Sequence, residues 1–588
     1  MTKKTLFLFF FLCVSLFYNT KRETRLDWDV FGYYLYLPAK FIYNDIQLEK
    51  KEVWLDPLIS KYKTTEGFYQ AYKGPQDKYV MKYTMGLSYV YAPFFFIANI
   101  AAPMLGYEKD GFSPPYQWML LIGSLLFSII GIYFLFKILT RYFSDTIVLA
   151  TIALLVFGSN YFVMTAYDGL MPHNFVFTFY AILLHYTTKW YKNQKIKYAV
   201  VVGLCIGISV LIRPTSVVVA VIPALWGVGN WTELKARIVL LFKNYFHLFV
   251  LGAATLLVLL PQFMYWKSVT GEWLYYSYPD EKINFFTPHL SAIFSYKKGW
   301  LLYTPLMIFA IIGFINLFKK NRALFFSIFL FFIFNTYLIS CWDCWWYGGS
   351  FAQRPFVESY VFMAFPLAYF IQSVLTKKWL VLLPTSFALL FCLYLNLFQT
   401  KQALSGVIHT SLTTKEYYWK VFLKNEASDE DRRWLEPTQY PDGKDNLDPN
   451  INYQPIYNSA LVLDDASSVL NSGNAFSKQL ICPSGLGYDL KNHYILSSIL
   501  VDTLETNTSK DITGHIVVCI NKNGQLYEYR AHDFAYQDLI NSSGKSEFTV
   551  LLPPQANGSN YEIKSYVYID EDKKMKLLAL KNTILIIN

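Results

Sequence analysis

The sequence predicts an α-helical polytopic membrane protein with about eleven transmembrane helices, an interfacial helix and a C-terminal extracytoplasmic β-sandwich domain. Three observations carry this reading. Of 588 residues, 54% are hydrophobic and only 16% are charged, where a soluble chain would carry about a quarter charged residues. Within residues 1–398 the apolar residues gather into runs of roughly the length a bilayer demands. From residue 461 the runs shorten and alternate, with Gly, Asn and Ser clusters between them, as strands of a small sandwich do.

The first run, 6–18, follows Lys3 and Lys4 as a signal peptide would, yet no small-x-small cleavage site comes after it. It reads as a retained first helix. A mixed stretch, 20–115, contains a second run at 85–103. Ten more follow, at 116–136, 146–164, 175–191, 198–212, 216–228, 245–265, 300–318, 324–340, 356–374 and 379–397. If all twelve runs crossed the bilayer, Lys137, Arg141 and the basic residues of 189–197 and 319–322 would face outside. Run 85–103 carries Tyr89, Tyr91, Pro93 and Asn99, which suit an interface. Placing it there turns those clusters, with Lys235, Arg237, Lys243, Lys377 and Lys378, to the cytoplasm, where positive charge belongs. The N-terminus is then inside, and the loops 20–115, 165–174, 266–299 and 341–355 share the outer face of an inner (plasma) membrane. The formal charge of +10 is thereby spent on topology. No soluble basic patch collects it, so nucleic acid is not an expected partner.

Residues 399–460 read as a helix, over 413–435, and a linker rich in Pro, Asp and Asn, over 436–460. The sandwich occupies 461–588, with strands at 494–501, 516–520, 525–530, 547–552, 561–569 and 577–587. Of seven cysteines, Cys13, Cys205 and Cys392 lie in apolar runs and act as small hydrophobes. Cys341 and Cys344 form a CxxC without the second pair a zinc site needs, so a disulfide or two idle thiols is expected. Cys482 and Cys519 are available to pair in an oxidising compartment.

Asp27-Trp28-Asp29 follows the first helix closely, and carboxylates held beside hydrocarbon are costly. A base that must meet a lipid-borne substrate is one reason for them. An acidic loop anchored by interfacial aromatics is another, and the Asp-x-Asp spelling would also suit a divalent metal at Asp27/Asp29. The outer loops add Lys82, Asp168, His173, Arg213, Asp280 with Glu281, His289, Lys297, Lys298 and Arg354. Bases mixed with fixed cations suit group transfer from a phosphate-linked donor: a carboxylate takes the acceptor's proton and cations neutralise the leaving phosphate. Bland readings stand beside these. Asp168 precedes Gly169 and suits a turn, Arg213 could only snorkel, and lone histidines are often satisfied hydrogen-bonders. Trp346 belongs to an aromatic run, 342–347, that reads as an interfacial belt or as the wall of a groove for an isoprenoid or a sugar.

The first helix, the acids beyond it, the helix after Lys82-Tyr83, Asp168 in the next outer loop and Arg213-Pro214-Thr215 at a span end together resemble the GT-C superfamily of integral membrane glycosyltransferases. The pattern is similar to the group of protein O-mannosyltransferases and the lipid A aminoarabinose transferase. Gly271-Glu272-Trp273, the 294–300 stretch with Thr304-Pro305, and 345–351 with Arg354-Pro355 resemble a bacterial branch of that group. The resemblance covers roughly residues 1–400. It implies inverting transfer of a sugar from a polyprenyl-phosphate donor to an extracytoplasmic acceptor (glycan, lipid or protein). Carried over, Asp29 is the base with Asp27 a close second, and Asp168 orients acceptor or sugar. Lys82, Arg213 and Arg354 hold the phosphate, with His173, His289, Lys298 and Trp346 as further substrate contacts and no cofactor required. The competing expectation is a transporter or flippase for a lipid-linked or envelope glycan, which would favour paired inverted repeats; the sequence displays none.

Overall fold

In the computed structural model the chain divides into two compact units, Met1–Ser411 and Leu412–Asn588. The described residues are 3–19, 26–65, 67–279, 281–432, 434–435, 453–462, 469–470, 475–482, 493–505, 512–535, 545–551, 561–569 and 574–587.

The first unit is helical, and the chain is a multi-pass membrane protein. Among the described residues, six helices are individually long and apolar enough to cross a bilayer: Gly86–Met104, Pro114–Leu139, Tyr245–Thr270, Arg322–Ser340, Arg354–Leu375 and Trp379–Leu404. Gly86–Met104 meets the same length and apolarity as the others, so charge distribution and not length is the ground for keeping it at the interface. Three other expected spans are interrupted. Run 146–164 divides into Asp145–Phe157 and Tyr161–Ala166 at Gly158, whose Cβ would lie 2.6 Å from the Leu154 carbonyl oxygen. Run 300–318 divides into Trp300–Tyr303 and Leu306–Lys320 at Pro305, which offers no N–H to continue the ladder. Run 216–228 becomes a 3₁₀ turn, Pro214–Ala220, and the short helix Val221–Leu225.

Helix direction places the site. Pro172–Asn193 and Arg354–Leu375 begin at one end of the bundle, and Ile196–Ile212 returns to it. The hairpin of Ala71–Lys73 and Tyr79–Met81 is fastened there, with Met81 N–H donating to Tyr265 Oη at 3.0 Å and Met85 N–H to Gln262 Oε1 at 2.8 Å. Gly86 follows at the start of its helix, where a Cβ would lie 2.4 Å from Ile212 N. Only glycine lets that helix start meet the helix end that carries Arg213.

The second unit holds two antiparallel sheets. In one, Leu480–Cys482, Tyr561–Ile569, Ile512–Lys522 and Gln525–Ala535 are neighbours in that order. In the other, the order is Tyr453–Val462, Lys574–Ile587, His493–Glu505 and Lys545–Leu551. Alternate residues such as Ile516, Val518 and Ile520 of the first sheet and Ile495, Ile499 and Leu580 of the second share one core. The six expected strands are all present. The last residues of the expected linker instead form the strand Tyr453–Val462, whose Pro455 is tolerated because the strand is at a sheet edge; residues 436–452 lie outside the described residues. The expected 413–435 helix is two short pieces, Lys415–Val421 and Asp429–Arg432. Cys482 and Cys519 are free. They pair with Ile563 and Lys564 on opposite sides of the same strand, and two strand spacings is about 9.6 Å, too far for a disulfide. Cys341 and Cys344 are free as well.

Candidate active site

Asp29 lies in the first turn of the helix Trp28–Tyr34. Trp28 before it has φ 46°, a left-handed backbone that costs a bulky residue roughly 1–3 kcal/mol. Neighbours hold it there: Trp28 N–H donates to the Thr64 carbonyl at 2.9 Å, and Gln70 Nε2 donates to the Trp28 carbonyl at 3.2 Å. The hairpin delivers a phenol from either side. Tyr83 Oη donates to Asp29 Oδ1 at 2.7 Å and Tyr69 Oη to the same oxygen at 2.9 Å. Arg354 Nη2 donates to Oδ2 at 2.7 Å. The Asp29 and Arg354 side chains remain 22% and 15% exposed, so the pair is reachable. Burial opposes ionisation of Asp29, but the charge of Arg354 and the bonds from Tyr83, Arg354 and Tyr69 outweigh it and hold the carboxyl below the usual aspartate range.

A second ion pair lies deeper. Glu358 Oε1 is 2.9 Å from His173 Nδ1 and 3.3 Å from Arg213 Nε. Pro214 ends the helix Ile196–Ile212 so that Arg213 adopts an extended backbone, while His173 is the second residue of its helix. The Arg213 guanidinium stands 5.8 Å from the centre of the Tyr347 ring. A third pair joins Lys82 Nζ to Glu281 Oε1 at 2.6 Å, with Trp342 Nε1 donating to Glu281 Oε2 at 2.9 Å. Lys82 also stands 5.6 Å and 5.4 Å from the ring centres of Tyr69 and Tyr278. The phenols knit these pairs together. Tyr33 lies in the fields of Arg213, Asp29, Arg354 and Glu358, and Tyr278 in those of Asp29, Arg213 and Glu281.

Lys298 donates to the Ser350 carbonyl and, at 3.0 Å, to Ser350 Oγ. Burial pushes its ammonium well below the usual lysine range, Arg354 adds to that, and the charge of Asp168 works against it. Asp168 thus falls within the field of this lysine while its backbone closes a turn, donating to the Val163 carbonyl and accepting from Met171 N–H, each at 2.9 Å.

Of the residues expected from sequence, Asp29, Lys82, Asp168, His173, Arg213, Lys298 and Arg354 therefore belong to one connected set. Lys82, Arg213 and Arg354 are each matched by an acid, and Lys298 by serine oxygens. His173 and Lys298 are each 1% exposed, so neither presents an open surface to a ligand. Asp27 is the N-cap of its helix and makes no side-chain capping bond. His289 holds the loop through its backbone, donating to the Ser340 carbonyl at 2.7 Å. Trp346 stacks under Lys297, 4.8 Å from ring centre to ammonium. From the aromatic run it is Trp342 and Tyr347 that meet the ion pairs. Asp280 lies outside the described residues. Sequence reasoning missed Glu358 and the phenols of Tyr33, Tyr69, Tyr83 and Tyr278. An acid within the apolar run 356–374 was the available signal for Glu358; nothing local marks the tyrosines among 47.

A metal at Asp27/Asp29 does not fit the donor set. Both Asp29 oxygens are engaged by Arg354 and two phenols. Among the described residues no three His, Cys, Asp or Glu side chains converge.

Gly32 gives one test of this geometry. A Cβ there would lie 2.4 Å from Tyr83 Cδ2. Gly32→Ala is expected to push the Tyr83 phenol off Asp29 and lower turnover about tenfold, the worth of one bond to a charged group. Turnover equal to wild type would show that Tyr83 does not govern the carboxylate.

Helices that bring a carboxylate and ion-paired cations to one end of a bundle supply the chemistry that group transfer needs. Residues 114–266 match the family model described as dolichyl-phosphate-mannose-protein mannosyltransferase. The matched stretch contains Asp168, His173 and Arg213 but neither Asp29 nor Arg354. Among solved structures, the chain is similar to the archaeal oligosaccharyltransferase AglB from Archaeoglobus fulgidus, in complex with an inhibitory peptide and a dolichol-phosphate. Identity is 10% over 73% of this chain and 59% of that one, with a TM-score of 0.41. It is also similar to the arabinosyltransferase EmbB from Mycobacterium smegmatis, at 10% identity over 100% of this chain and 64% of that one, with a TM-score of 0.35. The chain thus spans about three fifths of the length of these proteins. No curated protein matches.

Proposed function

We propose that this protein is an inverting glycosyltransferase that moves a sugar from a polyprenyl-phosphate donor to an acceptor on the extracytoplasmic side of an inner membrane. The observation that carries the reading is the reachable Asp29 carboxylate bonded to Arg354 beside two further ion pairs. The family match adds a lipid-phosphate sugar as the class of donor. In the reaction the acceptor hydroxyl oxygen attacks the anomeric carbon as the bond from that carbon to the phosphate oxygen breaks. The hydroxyl proton passes to Asp29, and the lipid phosphate leaves with the bonding electrons.

A carboxylate can accept about four hydrogen bonds, and Asp29 has three in place, so one position remains for the acceptor. Arg354 makes Asp29 a weak base while the site is empty. A donor phosphate that drew on the same guanidinium would relieve that effect, so the base would strengthen only once donor is bound. Arg213 and Lys82, each already countered by an acid, would complete the phosphate's surroundings, with Asp168 and Lys298 fixing the far wall.

The test is release of lipid phosphate from a radiolabelled polyprenyl-phosphate sugar by the purified protein. Turnover that survives Asp27→Asn and Asp29→Asn together would remove the mechanism. The pH dependence follows from Asp29. Its pKa is depressed in the folded protein, so its stabilising ionised form is complete above the unfolded value and lost as pH falls through the folded one. The acid limb of turnover assigned to free enzyme is therefore expected below the ordinary aspartate range. A limb centred near neutrality would assign the base elsewhere.

A further inference from the structure

A separate cavity of about 660 Å³, counting its open mouth, lies among the helices Pro172–Asn193, Ile196–Ile212, Val221–Leu225, Trp231–Lys243 and Tyr245–Thr270. It is far from the ion pairs: Trp190 in its wall is about 26 Å along the helix from His173. Its walls are apolar, formed by side chains such as Val202, Ile206, Leu241, Leu248 and Leu251. We infer that it binds an anionic glycerophospholipid, one acyl chain held between the helices and the phosphate at Arg237.

The polar atoms at the cavity call for an acceptor. Thr187 is 2% exposed and lines the cavity, and its Oγ1 is buried without a hydrogen-bond partner. Behind the cavity wall, Arg237 Nη1 is buried without a hydrogen-bond partner, and its guanidinium stacks 3.6 Å from the centre of the Tyr191 ring that lines the cavity. Trp190 Nε1 donates to His247 Nδ1 at 3.1 Å, so in the neutral ring Nε2 carries the proton and is a further donor. A buried guanidinium nitrogen left unpaired is costly, and a phosphate oxygen would satisfy it with a charge-assisted bond.

The helix Trp231–Lys243 supplies the membrane surface. None of its residues is buried, and Trp231, Val239 and Phe242 are 76%, 67% and 74% exposed. Its ends are nevertheless well made, with Asn230 Oδ1 accepting from Glu233 N–H at 2.9 Å and Glu233 Oε2 from Gly229 N–H at 2.6 Å. A stable helix with bare apolar residues beside Lys235, Arg237 and Lys243 lies in a bilayer interface. Lys192, Lys195 and Lys197 sit around the neighbouring helix ends, so the charge of this rim complements an anionic leaflet.

The test uses the full chain in vesicles of neutral lipid, doped with phosphatidylglycerol that bears a photoreactive group in one acyl chain, or with the matching phosphatidylcholine. Phosphatidylglycerol is expected to label the 187–191 and 241–251 segments severalfold more than phosphatidylcholine. Arg237→Gln is expected to reduce that labelling about fivefold, the worth of one basic side chain at an anionic surface. Equal labelling by the two lipids in the wild type overturns the proposal, and that comparison stands even if the variant fails to fold. Labelling unchanged by Arg237→Gln, or preferential labelling by a photoreactive polyprenyl phosphate, overturns it as well.

Discussion

Asp29→Asn is expected to lower release of lipid phosphate about 10²–10⁴-fold, the usual worth of a positioned general base, while Asp27→Asn retains most of the turnover. The amide keeps the shape of the carboxylate, and both phenols can still donate to its oxygen. It cannot take a proton at the attacking hydroxyl, and it leaves Arg354 without its counter-charge. These two losses separate kinetically. Loss of the base lowers kcat, whereas an Arg354 left free for phosphate would leave donor KM unchanged or lower it. Arg354→Gln should show the opposite balance, raising donor KM. If Asp29→Asn instead changed KM alone, Asp29 would be a positioning residue for the arginine and the proton would go elsewhere.

The second large effect is expected on stability. Glu358 is 3% exposed and is the shared partner of His173 and Arg213. Glu358→Ala leaves a guanidinium without its counter-ion inside the helix bundle, and breaking a buried pair in this way costs about 3–5 kcal/mol. Thermal unfolding of the detergent-solubilised protein should move down accordingly. Glu358→Gln, which keeps a hydrogen-bond acceptor, should lose less. An unchanged unfolding temperature for the alanine variant would mean that water already satisfies Arg213, and the pair would not be structural. Joint loss of Arg213 and Glu358 should cost less than the sum of the single changes, since neither charge is then stranded.

The membrane class was legible because hydrocarbon imposes a length and a composition that no other constraint imitates. Proline and glycine placed several helix ends as well: Pro214 ends the helix before Arg213, and Pro305 divides one expected span. The six strands from 493 onward were legible through their period of two. The strand Tyr453–Val462 was not, since Pro455 and a polar surrounding gave it the composition of a linker.

The candidate site divides along the same line. Asp29, Arg213 and Arg354 could be singled out because charge beside hydrocarbon is expensive and so needs a reason. Which charge answers which could not be read, because a pairing such as Arg354 with Asp29 or Arg213 with Glu358 joins distant stretches of chain and leaves no local pattern. The roles of Tyr69 and Tyr83 depend on the hairpin that flanks them with strands, and that of His173 on a burial it shares with many apolar neighbours. Composition and periodicity thus determined by themselves that this protein lies in a membrane, carries a β-domain and gathers ionisable groups in its loops. Only the tertiary structure decided that Lys82, Arg213 and Arg354 are each neutralised by an acid and that one carboxylate stays within reach, because electrostatic pairing depends on distances of a few ångströms that the chain acquires only on folding.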